Sequence, residues 1–88
     1  HVTTCDGHDF ADIDRAINEA KADPRPSLVA CRTVIGKGAP NKQGTSATHG
    51  AALGAAEVAA ARETLGWTSA PFEIPSDILA DWHMAGEP

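Results

Sequence analysis

The run GKGAPNKQGTSATHG occupies positions 36–50. It holds four glycines, a proline and one histidine, and its few apolar residues follow neither a strand nor a helix period. Connections in small domains run to ~4–6 residues, and long structureless ones are either functional or disordered. Any core in a chain of 88 residues must then come from the flanks of this run. The run itself is either a slack linker or a shaped loop that holds something.

The flanks read as alternating elements. VTTC (2–5) is rich in β-branched residues, as the end of a short strand would be. DGHD (6–9) follows as a turn, with Gly7 free to take positive φ and Asp9 suited to an N-cap. Phe10, Ile13, Ile17 and Ala20 form one apolar helical stripe over about Phe10–Ala22, and Pro24 and Pro26 end it. The acidic residues of this segment read as its solvated face. SLVACRTVI (27–35) reads as a strand buried on both faces. Strand, helix and strand make a βαβ unit with parallel strands. Beyond the glycine-rich run, GAAEVAAARETLG (54–66) is a strong helix, with Glu57 in its first turn and Gly66 at C′. WTSAPFEIP (67–75) reads as extended, and Ser76 caps a short helix over DILADW before a frayed HMAGEP end.

This is little material for a core. Seventeen residues are alanine and only eighteen are Val, Ile, Leu, Met, Phe or Trp. Burial stabilises at roughly 25 cal/mol per Å² of apolar surface, to which alanine adds little. One domain at most fits this length, and the missing bulk points to a core completed by further sequence or by a partner subunit. The net charge is −5, and the seven lysines and arginines are scattered. Nucleic-acid binding rests on clustered positive charge, so that class is excluded. No apolar run approaches the ~20 residues of a membrane span. The amino end has neither a signal peptide nor an initiator methionine, which suggests a piece of a longer chain. Without a secretion signal, Cys5 and Cys31 are expected as reduced thiols in a cytoplasmic protein, although a disulfide between them stays open.

The run at 36–50 fits neither a Walker phosphate loop nor a dinucleotide fingerprint. No glycine precedes Lys-Ser or Lys-Thr, and Asn41 stands where the third fingerprint glycine should be. Its position is nonetheless suggestive, since ligands in open α/β sheets sit beyond the carboxyl ends of parallel strands. His49 lies at its far end between Thr48 and Gly50. Imidazole can donate to an anion or move a proton near neutral pH, and Gly50 leaves room for close approach. A solvated loop histidine is the competing reading on these residues alone. Cys5-Asp-Gly-His8 has a zinc-like spacing but no second compact ligand pair. Glu57 and Glu63, six apart on a helix, do not face each other for acid–base work.

In order along the chain, DGHD, PSLVACRTVIGKGAPNKQGT, HGAALG, ARETLGW and PFEIP resemble transketolase. The resemblance runs from about Asp6 to Trp82 and is to the later part of the amino-terminal pyrophosphate-binding domain. THGAAL stands where the family more often has SHGAPL, and LGAAE replaces a more acidic helix start. The implied fold class is α/β: residues 1–88 as the βαβ portion of a parallel-sheet thiamine-diphosphate-binding domain, then a long active-site loop and two helices. The implied reaction moves a two-carbon ketol unit from a ketose phosphate to an aldose phosphate, using thiamine diphosphate and a divalent metal such as Mg²⁺.

The resemblance makes His49 the residue that approaches both the diphosphate and the substrate, and so implies catalytic, cofactor-binding and substrate-binding roles for it. It also implies what is not here. The acidic metal ligands lie upstream of His1, and the glutamate that activates the aminopyrimidine lies in the next domain. The arginines that grip the substrate phosphate are absent too. Transketolase sites form between two subunits, so partners are the rest of the chain, a second subunit and sugar phosphates. The chain alone is expected to be inactive. The rival expectations are another thiamine-diphosphate enzyme, such as a deoxyxylulose-phosphate synthase-like protein or a split transketolase subunit, and a non-enzymatic interaction module.

Overall fold

The computed structural model describes residues 1–88. Asp9 is extended, and its carboxylate accepts from the backbone N–H groups of Ala11 and Asp12. That satisfies two of the orphan donors at the start of α1, Phe10–Ala22. Asp23, ahead of Pro24, is extended as a pre-proline residue is, and the helix stops there. On either side run β1, Val2–Asp6, and β2, Leu28–Arg32. They pair in parallel from Val2↔Leu28 to Asp6↔Arg32, so the expected βαβ unit forms. Gly7 does not take positive φ. Its need for glycine is closeness: a Cβ there would lie 2.6 Å from Thr33 Cγ2.

The polar face of α1 departs from expectation. Asp12, Arg15 and Glu19 border β1 and are not simply solvated. Arg15 donates to Asp12 Oδ1 at 2.7 Å, to Glu19 Oε1 at 2.8 Å and to the Thr4 carbonyl at 2.7 Å. Asp12 Oδ2 accepts from the Asp6 N–H, and Glu19 Oε2 accepts from Thr3 Oγ1. This polar row ties the helix to β1. Ala16 is fully buried, Ile13 and Ala20 are half-buried, and Phe10 and Ile17 are left exposed. Of the expected stripe, Ile13 and Ala20 face the strands beside Ala16, while Phe10 and Ile17 are left open in this chain.

β2 is shorter than the run 27–35 and is not buried on both faces; all but one of its residues are exposed. It ends early because the chain turns at Val34–Lys37, where Lys37 N–H donates to the Val34 carbonyl. Its faces are open because only α1 packs on the two strands, and neither α2 nor α3 packs on another element. α2 spans Ala55–Thr64. It closes in a Schellman motif, with Gly66 at φ +67° and the Trp67 N–H donating to the Arg62 carbonyl. The segment after it turns at Ala70–Glu73 and is not extended. α3 spans Ser76–Gly86, so HMAG continues the helix instead of fraying. Pro75 takes the N-cap position, and Ser76 makes no side-chain cap.

The radius of gyration is 16.9 Å, against about 12 Å for a compact domain of this length. The accessible surface is 6878 Å², against roughly 4,900 Å² from size scaling. Cys5, Ala16 and Ala39 are the buried hydrophobic residues. The chain thus carries far more open apolar surface than a self-sufficient domain, as its alanine-heavy composition implies. No helix is long and apolar enough to cross a membrane.

Candidate functional site

The glycine-rich run is a shaped loop. Gly36 sits at φ +66°, and a Cβ built on it would lie 2.6 Å from Thr48 Cγ2 and 2.9 Å from Thr48 Cβ. The two ends of the loop therefore touch, as in an Ω-loop. Between them the loop bonds to itself. Gly44 N–H donates to the Ile35 carbonyl at 2.8 Å, Gln43 N–H to Ala39 at 2.8 Å, and Gly38 N–H to Gln43 Oε1 at 3.2 Å. Thr45 caps a short 3₁₀ turn, Ser46–Thr48, and His49 N–H closes it on the Ser46 carbonyl.

A second set of bonds ties this loop to α2. Glu57 is only 6% exposed. Its carboxylate accepts from the Asn41 N–H at 2.8 Å, Asn41 Nδ2 at 2.9 Å and the Lys42 N–H at 3.2 Å. Lys42 Nζ donates to the Leu53 carbonyl at 2.8 Å. The strap 43–52 that carries His49 is thus pinned at both ends. Sequence reasoning missed this role for Glu57. Its partners lie sixteen and fifteen residues away, where no helical or strand period connects them. The single available signal was a carboxylate in the first turn of the helix that follows the glycine-rich run.

The bonds from Asn41 hold the Glu57 carboxyl below the usual glutamate range. Arg15 does the same for Asp12 and Glu19, aided by the Asp6 N–H and by Thr3 respectively. A carboxylate whose value falls on folding contributes stability above its unfolded value, and loses it as pH falls through the folded one. In the full-length protein, the loop should therefore hold at neutral pH and loosen below about pH 4. Amide-exchange protection at Asn41 and Lys42 is expected to drop there in the wild type. In Glu57→Gln the same amides should be less protected at pH 7 and change little on acidification. Acid-independent protection in the wild type would contradict the clamp.

His49 is exposed, and its imidazole has no hydrogen bond within the chain. A Cβ on Gly50, at φ +72°, would meet nothing within 4 Å. The ring therefore stands beside open space. His49 does not line the open cavity of about 1020 Å³ at the carboxyl ends of the two strands, whereas Lys37, at the start of the loop, does. His8 also lines it, but its Nε2 accepts from the Val34 N–H at 2.7 Å, so the ring braces the DGHD turn against the end of β2. Cys5 faces Cys31 at 3.6 Å, and no group of three or more His, Cys, Asp or Glu is placed to hold a metal ion. An imidazole can donate a hydrogen bond to an anionic oxygen, and the chain places no acidic set that could hold a metal ion.

These features define a stretch of an α/β domain whose loop beyond a parallel strand presents one histidine. Over residues 1–87 the chain matches the family model described as transketolase, thiamine diphosphate binding domain, and it belongs to that family. It is 63% identical over 82 residues to a transketolase of Cereibacter sphaeroides and 60% identical over 82 residues to transketolase 1 of Escherichia coli (strain K12). A transketolase of Rhodobacter capsulatus is 53% identical over 85 residues. These alignments cover 92–97% of this chain but only 12–13% of each relative.

Proposed function

We propose that residues 1–88 form the later part of a transketolase pyrophosphate-binding domain, and that the loop 36–50 presents His49 to the diphosphate of thiamine diphosphate and to the sugar substrate. The observation that carries this reading is the pairing of a rigidly held strap with an imidazole that bonds to nothing in its own chain. In the parent enzyme the reaction is transfer of a two-carbon ketol unit between a ketose phosphate and an aldose phosphate. Thiamine diphosphate, when bound, supplies the carbon nucleophile. The chain's own part is electrostatic and positional. His49 donates a charge-assisted hydrogen bond to a phosphoryl or substrate oxygen. Gly50 admits the ligand, and Glu57, Asn41 and Lys42 keep the strap from moving. The divalent metal ligands, the remaining cofactor contacts and the substrate-phosphate arginines belong to the rest of the parent chain and to a second subunit of a cytoplasmic homodimer.

Identity to proteins named transketolase over nearly the whole chain supports this reading. So does the open surface, which needs further protein against it. Two measurements test it. Isothermal titration of the 88-residue chain with thiamine diphosphate and Mg²⁺ should give no heat, whereas a micromolar constant would contradict a site completed elsewhere. The full-length parent should convert xylulose and ribose phosphates. Turnover of pyruvate in their place would move the family member to deoxyxylulose-phosphate synthase-like chemistry.

A further inference from the structure

The DGHD turn is locked to the end of β2 by contacts within this chain. Gly7 N–H donates to the Arg32 carbonyl at 2.7 Å, and a Cβ on Gly7 would lie 2.6 Å from Thr33 Cγ2. Asp6 Oδ1 accepts from the His8 N–H at 2.9 Å, and His8 Nε2 accepts from the Val34 N–H at 2.7 Å. Val34 lies just past β2, which ends at Arg32, and its N–H has no backbone partner. The His8 ring therefore holds the exit from the strand. Two bonds carry that hold into the glycine-rich loop. The Val34 carbonyl accepts from the Lys37 N–H in the loop's first turn. The next carbonyl, Ile35, accepts from the Gly44 N–H at 2.8 Å, where the strap 43–52 begins. A backbone N–H can bond to Nε2 only through its lone pair, so the ring carries its proton on Nδ1. In the imidazolium both nitrogens are donors, and the Val34 N–H would face another N–H.

We propose that His8 is a positioning residue: its neutral ring fixes the first turn of the loop 36–50, and protonation releases that turn and the strap that carries His49. An imidazole changes charge between about pH 5 and 8. Asp6 and Arg32 at the strand ends, Asp12 and Arg15 on α1, and Lys37 in the loop line the same cavity as the ring. Carboxylates, guanidinium and ammonium groups keep their charges across that range. The Cys5 and Cys31 thiols line the cavity too, and substitution at His8 separates their titration from that of the ring. The effect on turnover rests on the proposed role of His49; the brace itself does not.

The test is hydrogen exchange of the full-length protein, resolved to single amides by mass spectrometry and corrected for the intrinsic pH dependence of exchange. It compares about pH 8 with about pH 5, the two sides of the imidazole range. At the lower value, protection of Val34 and Gly44 should fall roughly 2- to 10-fold, the range of one net hydrogen bond. Asn41, held by the Glu57 carboxylate, should keep its protection. In His8→Gln the side-chain oxygen can reach the same N–H and takes up no proton, so all three amides should stay protected at both values. In His8→Phe the ring remains but the acceptor is gone. Val34 and Gly44 should then be open at both values, and kcat for sugar-phosphate transfer should fall by a similar factor. Should His8→Phe fail to fold, the wild type and His8→Gln decide alone. The proposal is overturned if wild-type protection at Val34 and Gly44 is the same at both values, or if Asn41 loses as much. It is equally overturned if the pH-dependent loss persists in His8→Gln, or if His8→Phe is as protected as the wild type. Loosening in His8→Phe with kcat unchanged would uphold the brace and count against the proposed role of His49.

Discussion

His49→Ala in the full-length protein is expected to lower kcat at least ~10-fold, a floor set below the ~10²–10⁴-fold that a positioned proton-transfer group contributes. Its melting temperature should barely move. The two expectations separate because the imidazole makes no bond inside its own chain and is exposed. Truncating it removes nothing that holds the loop; only an interaction with something brought to the loop can be lost. Steady-state kinetics and thermal melts on the same preparations read both quantities. Near-normal turnover would remove the residue from the mechanism. A large drop in melting temperature would mean that His49 is structural in the assembled enzyme, and its kinetic effect could then not be assigned to the ligand.

The second large effect comes from the loop's closure. Gly36→Ala should destabilise the folded protein by about 1–3 kcal/mol, from left-handed backbone strain plus overlap with a neighbour. Gly50→Ala provides the comparison. Both glycines have positive φ, +66° and +72°, but a Cβ at Gly36 would collide with the whole Thr48 side chain, while one at Gly50 would meet nothing within 4 Å. Backbone strain is common to the two substitutions and steric overlap is not. Gly36→Ala should therefore be the more destabilising in a denaturant melt, with an unchanged m-value. It should also reduce turnover, because Thr48 adjoins His49 and must shift. Equal destabilisation by both substitutions would mean that the contact between the loop's ends does not matter.

What could be read from the sequence was local. Asp9 and the two prolines bound α1 because caps and pre-proline sterics act within a few residues, and the observed helix is Phe10–Ala22 as expected. Gly66 is legible for the same reason: the left-handed C′ residue of a helix is set within the last turn. Relations between elements were not legible. The stripe Phe10, Ile13, Ile17 and Ala20 has a sound helical period, yet only Ile13 and Ala20 are covered, because α1 packs on nothing but the two strands. The β-rich stretch Thr33–Ile35 looks like more strand, but the loop's first turn takes it. Burial of β2 on both faces assumed neighbours that this chain does not contain. In the candidate site, the glycines and His49 stood out as a pattern, whereas Glu57 became a loop clamp only once the fold brought Asn41 to it.

The most direct check is a structure of the full-length protein in its native assembly with thiamine diphosphate and Mg²⁺ bound. A ring nitrogen of His49 should lie within about 2.7–3.2 Å of a diphosphate oxygen, with the strap 43–52 still joined to Glu57. An imidazole turned into bulk solvent, away from the cofactor, would contradict the account.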